Sequence, residues 1–286
     1  MKNTILLLSA LIFLPACKKE AKTVVIAGDS WAFLMCTNGS LDTALMAAGI
    51  QDASTNINCA TTTHTGKRAE NWLGSDEDKA TLATLKDPSV KILYLSLGGN
   101  DFLNHWRKSL TAAEAQMVYE YIKGKLLEIV TAYQAARPDI QILISGYDYP
   151  RFIANHPIAE YKEKYEQMES PTPTEINQAI LGFAEVTHEL ADGQKVFYIQ
   201  HYGLMHYYYG NSEAHLAPMT TLAPAEISPA DHPLNFGGDP TLQSDPEAML
   251  HIGVIPDAFH LSKAGYARVA EHAVAVYLKD WLSVSK

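Results

Sequence analysis

The chain has 286 residues, of which 47% are hydrophobic and 19% are charged. This composition excludes wholesale disorder and collagen-like repeats, and the length suffices for one large domain with a substantial core. The 22 lysines and arginines against 32 aspartates and glutamates give a formal net charge of −10. We therefore expect no general nucleic-acid binder, because such proteins need clustered positive charge to neutralise phosphates.

The N-terminus has the pattern of an export signal. A positively charged start precedes an apolar run over residues 5–14, which is too short to cross a bilayer. The Leu-Pro-Ala-Cys sequence at residues 14–17 resembles the lipobox of bacterial lipoproteins, in which Cys17 would be acylated. We predict a lipoprotein signal peptide over 1–16 and a tether over 17–22. The mature protein would then be anchored by acyl chains in the bacterial cell envelope, in the periplasm or outer membrane of a Gram-negative source.

Export also bears on the other cysteines. Without Cys17, Cys36 and Cys59 form an even pair in a compartment that permits disulfides. We predict a Cys36–Cys59 disulfide. The alternative is a pair of small buried thiols that do not meet.

Short apolar runs that end in turn-forming residues predict buried parallel strands. Four strong runs and one weak one occur along the chain, at residues 23–27, 91–97, 140–144, 196–199 and near Ile57. Helical periodicity falls between them, from Thr111 to just before Arg137, over 174–190 and over 262–282. This alternation predicts an α/β fold in which helices cover both faces of a mostly parallel sheet.

A long irregular insertion is expected at about residues 203–256, which hold seven of the fourteen prolines and show little periodicity. Segments of this length inside a compact domain are usually functional or disordered. The aromatic run at residues 207–209 either lines a pocket with Trp106 and Tyr149 or simply packs the segment down. The sequence leaves both alternatives open.

Three short motifs carry groups suited to chemistry. Gly-Asp-Ser at residues 28–30 follows the first strand and places a hydroxyl on a tight turn. Gly-Gly-Asn-Asp at residues 98–101 follows the second strong strand and can present an amide N–H to an oxyanion. Asp257 lies three residues before His260, where a carboxylate can orient an imidazole. Each motif alone is more often an ordinary turn, but ligands of parallel sheets bind beyond the carboxyl ends of the strands.

Taken in this order, the motifs resemble those of the SGNH (GDSL-type) hydrolase superfamily, over about residues 23–266. The resemblance implies a three-layer, flavodoxin-like α/β/α sandwich with a central, mostly parallel sheet over residues 23–286. It also implies roles for three side chains. Ser30 would be the nucleophile, His260 its general base and Asp257 the residue that orients the imidazole.

The same resemblance implies an oxyanion hole formed by the N–H of Ser30, the Nδ2 of Asn100 and the N–H of a glycine. Gly66 lies between the first two strong strands, where this glycine should be, although its surroundings match the family weakly. Gly74 is the fallback. Trp31 stands where the family has leucine, and we expect it to reshape the floor of the pocket.

The predicted function is that of a serine esterase that hydrolyses short acyl or O-acetyl groups of small esters or glycans through an acyl-enzyme on Ser30. The alternatives are a lysophospholipase or thioesterase, and a non-catalytic surface binding lipoprotein on the same fold. No cofactor or metal is expected, since His201 and His206 lack acidic or thiolate neighbours. The expected partners are the ester substrate and, through the lipid anchor, the membrane. The oligomeric state is not predicted.

Overall fold

A computed structural model describes residues 22–219 and 238–283. The predicted signal peptide, the lipidation site Cys17 and the tether apart from Lys22 lie outside the described residues. None of the helices in the described ranges combines the length and the hydrophobicity needed to cross a membrane.

Five parallel strands form the centre of the molecule, in the order β2-β1-β3-β4-β5. Their cores are buried on both faces, which accounts for the continuous apolar runs in the sequence. The chain builds outward from β1 to β2, crosses back to β3 and continues to β5. The strands are β1 (Lys22–Gly28), β2 (Ala53–Thr55), β3 (Val90–Ser96), β4 (Gln141–Ser145) and β5 (Val196–Ile199).

Helices cover the sheet on both sides, as the predicted three-layer α/β/α sandwich requires. Helices α1, α2 and α9 pack together in one group, and α3, α4, α5 and α7 pack in a second group. The helices are α1 (Ser30–Thr37), α2 (Ser40–Ala47), α3 (Asp76–Leu85), α4 (Gly99–His105), α5 (Ala112–Ala136), α6 (Ala159–Gln167), α7 (Pro173–His188), α8 (Leu204–Tyr209), α9 (Lys263–Ala273) and α10 (Lys279–Ser283).

The helix boundaries follow from local capping chemistry. Thr111 and Glu114 form a capping box at the start of α5, and an equivalent box starts α7 at Thr172. Ser262 caps α9 by accepting a hydrogen bond from the N–H of Gly265 at 3.1 Å. The last predicted helix is continuous, but a π-helical turn over Val274–Leu278 separates α9 from α10.

The weak strand expected near Ile57 lies slightly upstream, at β2, and Ile57 itself is 98% exposed. The reason lies in Asn56, whose side-chain Oδ1 accepts a hydrogen bond from the N–H of Ile26 at 3.0 Å. This side chain takes the place of a further ladder hydrogen bond to β1. The chain then turns into a 3₁₀ turn at Cys59–Thr61.

The expected irregular insertion at 203–256 contains regular structure in its described parts, so that prediction was too broad. Helix α8 occupies its start, and a short antiparallel hairpin formed by β6 (Met249–Ile252) and β7 (Ile255–Leu261) begins within it. Neither element has the periodicity of the other helices and strands, because each is short. The Asp257–His260 motif lies on strand β7.

Candidate active site

The site lies where the direction of sheet building reverses, between β1 and β3. Gly28 ends β1 and pairs with Ser96 at the end of β3, so the motifs that follow these two strands start side by side. Such a reversal opens a crevice at the carboxyl edge of a parallel sheet. The predicted meeting of residues 28–30 and 98–101 is therefore a consequence of strand order.

Three predicted side chains form a hydrogen-bonded series at this edge. The Oγ of Ser30 lies 2.8 Å from Nε2 of His260. The other ring nitrogen of His260, Nδ1, lies 3.1 Å from Oδ1 and 3.0 Å from Oδ2 of Asp257. Because a carboxylate only accepts, Nδ1 carries a proton toward Asp257, and this leaves Nε2 free to accept the proton of the Ser30 hydroxyl.

Backbone and side-chain donors hold Asp257 in this position. Its Oδ1 accepts the N–H groups of Phe259 and His260, each at 2.7 Å, and Oδ2 accepts a hydrogen bond from the hydroxyl of Tyr161 on α6. Asp257 is only 1% exposed, and burial alone would raise its pKa. The hydrogen bond and electrostatic attraction of His260 and the hydrogen bond of Tyr161 outweigh burial, so the pKa of Asp257 is lowered and the residue stays ionised.

Tyr161 is a residue of the site that the sequence analysis did not identify. Its hydroxyl lies 3.3 Å from Nδ1 of His260 in addition to bonding Asp257. Burial and the carboxylate of Asp257 raise the pKa of Tyr161, so its hydroxyl keeps the proton that it donates. No motif marks this residue, because it lies on a helix far along the chain from both partners.

A close backbone approach places Ser30 at the start of α1. Gly28 has φ of 136°, and a Cβ atom there would lie 1.8 Å from the carbonyl oxygen of Ser96, so only glycine fits. Asp29 then caps α1 by accepting the N–H of Trp31 at 3.0 Å. As the first residue of the helix, Ser30 has a backbone N–H without an intrahelical partner, and this donor is available to a ligand.

Tyr147 joins the first two motifs beneath the site. Its hydroxyl donates to Oδ2 of Asp29 at 2.6 Å and accepts the N–H of Gly99 at 2.9 Å. Burial raises the pKa of Asp29 to about 7, although the hydrogen bonds from Tyr147 and Trp31 oppose this effect. The tyrosine ring leaves no room for a side chain at Gly99, where a Cβ atom would lie 2.6 Å from Cζ of Tyr147.

Asn100 lies at the start of α4 beside the segment that holds Gly66. Its Nδ2 donates one hydrogen to the carbonyl oxygen of Lys67 at 3.1 Å, which fixes the orientation of the amide and leaves a second hydrogen available. Gly66 is exposed and has φ of 74°. The alternative glycine, Gly74, donates its N–H to Oδ2 of Asp78 at 2.8 Å, so that donor is already used.

Asp101 fastens this segment to α4. Its two carboxylate oxygens accept the N–H groups of Ala69 at 2.7 Å and Glu70 at 3.1 Å. Asp101 is fully buried, and burial raises its pKa against the effect of these hydrogen bonds. One short motif thus presents the amide of Asn100 and anchors the neighbouring segment.

The predicted disulfide joins Cys36 of α1 to Cys59, with the two Cα atoms 6.0 Å apart.

Trp31 does not form a pocket floor as expected. It is 2% exposed, packs against Tyr147 and Tyr266, and donates its Nε1–H to the carbonyl oxygen of Phe259 at 3.1 Å. The indole therefore ties the start of α1 to β7 from within the core.

Other sequence candidates lie away from this site. Trp106 and Tyr149 are buried and stack on Phe102 and His206, so packing explains both of them. His201 contacts Ser145 and His272, whereas His206 contacts the carbonyl oxygen of Gln243. Among the residues described, no group of three or more histidines, cysteines or carboxylates is arranged to hold a metal ion.

The family model of the GDSL-like lipases and acylhydrolases matches residues 24–273. No curated protein matches the chain. A Bacteroides fragilis protein solved as a candidate acylhydrolase is similar in fold, with 11% identity, coverage of 92% of this chain and 89% of that chain, and a TM-score of 0.50.

Two further solved structures align over most of the chain. For an extracellular lipase from Streptomyces rimosus the identity is 14%, the coverage is 88% of this chain and 97% of that chain, and the TM-score is 0.49. For a family 3 carbohydrate esterase from Clostridium thermocellum the identity is 15%, the coverage is 91% of this chain and 97% of that chain, and the TM-score is 0.44. Identities this low bear on the fold alone. Because the family model spans most of the domain, the chain belongs to the GDSL-like lipase/acylhydrolase family, whose members hydrolyse ester bonds, and is an ester-bond hydrolase.

Proposed function

We propose that the protein is a serine esterase that forms an acyl-enzyme on Ser30. The observation that carries the proposal is the series Ser30–His260–Asp257, in which Oγ lies 2.8 Å from Nε2 and Nδ1 faces a buried carboxylate. Ser30 is 3% exposed, whereas the His260 side chain is 20% exposed, so the imidazole borders solvent from which a substrate can approach.

In the first half of the reaction, His260 Nε2 accepts the Ser30 proton while Oγ attacks the ester carbonyl carbon. The imidazolium that forms is stabilised by Asp257. It then donates its proton to the departing alcohol oxygen, and the carbon–oxygen bond to the alcohol breaks. The acyl group remains on Ser30 as an ester.

In the second half, water replaces the alcohol. His260 accepts a proton from the water, the resulting oxygen nucleophile attacks the acyl carbon, and the bond to Oγ breaks as Ser30 recovers its proton from His260. The products are the alcohol and a carboxylic acid. In every step Nε2 of His260 transfers the proton while Nδ1 stays hydrogen-bonded to Asp257, so the imidazole keeps one orientation.

The oxyanion hole in this proposal consists of the N–H of Ser30, the N–H of Gly66 and the free Nδ2 hydrogen of Asn100. Asn100→Ala should lower kcat by about 10²–10³ with a small effect on KM, because the oxyanion forms only on the way through the tetrahedral intermediate. An effect confined to KM would remove Asn100 from this role.

We further propose short acyl or O-acetyl groups, carried by small molecules or glycans, as the substrates of an exported, lipid-anchored enzyme. The N-terminal pattern, with Cys17 as the acylated residue, supports the location. A tethered enzyme meets esters of the envelope and its surroundings, which supports the substrate class.

The test measures hydrolysis of 4-nitrophenyl esters from acetate to dodecanoate by the chain starting at Lys18. Ser30→Ala should abolish hydrolysis, and the control Ser54→Ala, an exposed serine on β2, should not. Activity restricted to the shortest acyl chains supports the proposed substrates, and an optimum at long chains favours a lysophospholipase-like enzyme. Lack of both hydrolysis and labelling of Ser30 by a fluorophosphonate probe would favour a binding protein.

A further inference from the structure

A group of basic side chains lies beside the proposed oxyanion hole, although the chain as a whole carries a net charge of −10. Arg68 follows Lys67, whose carbonyl oxygen orients the Asn100 amide. Arg107 lies two residues beyond α4, the helix that presents Asn100. Lys164 lies on α6, one turn after Tyr161. We call these three residues the basic cluster.

Described contacts bring these three segments together. Arg68 and His105, the last residue of α4, both pair with Glu70, at 2.5 Å and 3.1 Å. On the other side of Arg107, the N–H of Lys108 donates to the carbonyl oxygen of Met168 at 3.3 Å, at the end of α6. The three segments that carry the basic cluster are therefore neighbours, and they lie between the Asn100 side of the site and the helix that touches Asp257.

Two members of the basic cluster form no ion pair in the described residues, although the carboxylate of Glu169 lies within electrostatic reach of Arg107 and that of Glu160 within reach of Lys164. In the described residues, Arg107 donates to the carbonyl oxygen of Trp106 at 2.6 Å and Lys164 donates to the Gln167 amide oxygen at 3.1 Å, and neither forms an ion pair. Both side chains are partly buried. Burial and the nearby positive charge of Arg107 lower the pKa of Lys164; Glu160 opposes this effect, and Arg68 adds a smaller one in the same direction as Arg107.

We propose that the basic cluster binds a carboxylate carried by the ester substrate. The proposal rests on the esterase function above and narrows its substrate class to anionic esters. Arg107 and Lys164 are partly buried cations that form no ion pair and repel each other, and a bound carboxylate relieves this repulsion. The net negative charge would otherwise disfavour anionic substrates, so any preference for them must arise locally.

The test uses two pairs of esters that differ in one charge. In the first pair, 4-acetoxybenzoate and its methyl ester, the charge lies on the alcohol part. In the second pair, mono(4-nitrophenyl) glutarate and its methyl ester, the charge lies on the acyl part. The readout is the ratio of kcat/KM for the anionic ester to that for the neutral ester. Comparing this ratio between variants cancels the intrinsic reactivity of each ester.

Arg107→Gln and Lys164→Gln should each lower the ratio about fivefold for at least one pair, and added NaCl should lower it in the wild type. The pair that responds identifies the part of the substrate that meets the cluster. The control Lys86→Gln removes one charge from an exposed residue between α3 and β3, at the opposite edge of the sheet. A ratio that neither variant changes, for either pair, would overturn the proposal.

A binding measurement separates this proposal from the esterase function. Calorimetric titration of the Ser30→Ala variant should show tighter binding of 4-acetoxybenzoate than of its methyl ester, and Arg107→Gln in the same background should remove the difference. Equal affinities would contradict the carboxylate site even if the enzyme hydrolyses neutral esters. A clear preference would support it even if no tested ester were hydrolysed.

Discussion

The hydroxyl of Tyr161 donates a hydrogen bond to Oδ2 of Asp257, so the carboxylate that faces His260 has a phenolic partner on its second oxygen. Tyr161 comes from α6, a helix without a fully buried residue. The ring also packs edge-on against His156, which itself contacts the carbonyl oxygen of Pro256. A mostly exposed helix therefore contributes to the placement of the innermost member of the site.

Tyr161→Phe should lower kcat about tenfold and change KM little. The variant keeps the ring but removes the hydroxyl, so Asp257 loses a hydrogen bond. The carboxylate is then held less firmly and orients His260 less well. Steady-state kinetics on 4-nitrophenyl acetate measure both constants.

The matched control is Tyr165→Phe, one turn later on α6, because the described structure gives the Tyr165 hydroxyl no hydrogen bond. A rise in KM at constant kcat would mean that the Tyr161 hydroxyl contacts substrate and does not act through Asp257.

Asp101→Asn should lower kcat by about tenfold or more and the free energy of unfolding by about 1–3 kcal/mol. The two N–H groups of Ala69 and Glu70 bind different oxygens of Asp101, and in asparagine one of these oxygens becomes an NH2 group, which donates and cannot accept. One of the two N–H groups therefore loses its partner. The segment that carries Gly66 would then shift relative to Asn100. Kinetics and urea unfolding of the same samples measure the two effects.

Asp148→Asn provides the comparison, because both oxygens of Asp148 also accept backbone N–H groups, those of Tyr149, Gly203 and Met205. It holds the start of α8 and does not touch the segment with Gly66. We expect a similar loss of stability with little loss of kcat. Equal losses of kcat in both variants would show that Asp101 acts only through general stability.

The strands of the sheet and the placement of Ser30 and Asn100 at its carboxyl edge could be predicted from the sequence, because the signals for them are local. Continuous apolar runs mark buried strands, and parallel strands bring their carboxyl ends to one edge, so Ser30 and Asn100 could be placed together from the order of residues alone. The capping box at Thr111 is equally local. Such features depend only on neighbours along the chain.

The remaining features depend on contacts between distant segments. Tyr161 and Asp257 are 96 residues apart in the sequence, and no motif indicates that they contact each other. Gly66 and Gly74 are both glycines with positive φ, and tertiary contacts distinguish them: Gly74 donates to Asp78, whereas the residue after Gly66 binds Asn100. The hairpin that carries His260 is too short for periodicity to reveal.

The contribution of Asp29 to the stability of the wild type should fall as pH rises from about 4 to about 7. Burial raises the pKa of Asp29 from 3.8 in the unfolded reference to about 7 in the fold. Between these values the folded protein holds a proton that the unfolded chain has released, so a higher pH favours unfolding. The contribution of Asp29 is about 4 kcal/mol at most. Asp148, whose pKa is also raised to about 7, acts in the same direction.

Asp29→Asn isolates the contribution of Asp29, because the amide cannot ionise. Urea unfolding at several pH values between 4.5 and 7.5 should show the wild type losing stability relative to this variant as pH rises. Asp52→Asn, which removes a carboxylate away from the site, is the control. A wild-type advantage that stays constant across this pH range would show that Asp29 does not titrate there.

The disulfide should matter more for stability than for chemistry. It closes a loop with a sequence separation of 23 between α1 and the turn at Cys59, and chain entropy predicts a loss of about 3 kcal/mol when it is removed. Cys36→Ala/Cys59→Ala removes both thiols, and its unfolding is compared with that of the oxidised and the reduced wild type. Because the β1 strand and the Asp29 cap place Ser30 independently of the disulfide, kcat at 25 °C should stay within about threefold of the wild-type value. A large loss of kcat in a well-folded variant would instead mean that the disulfide positions the segment leading to Gly66.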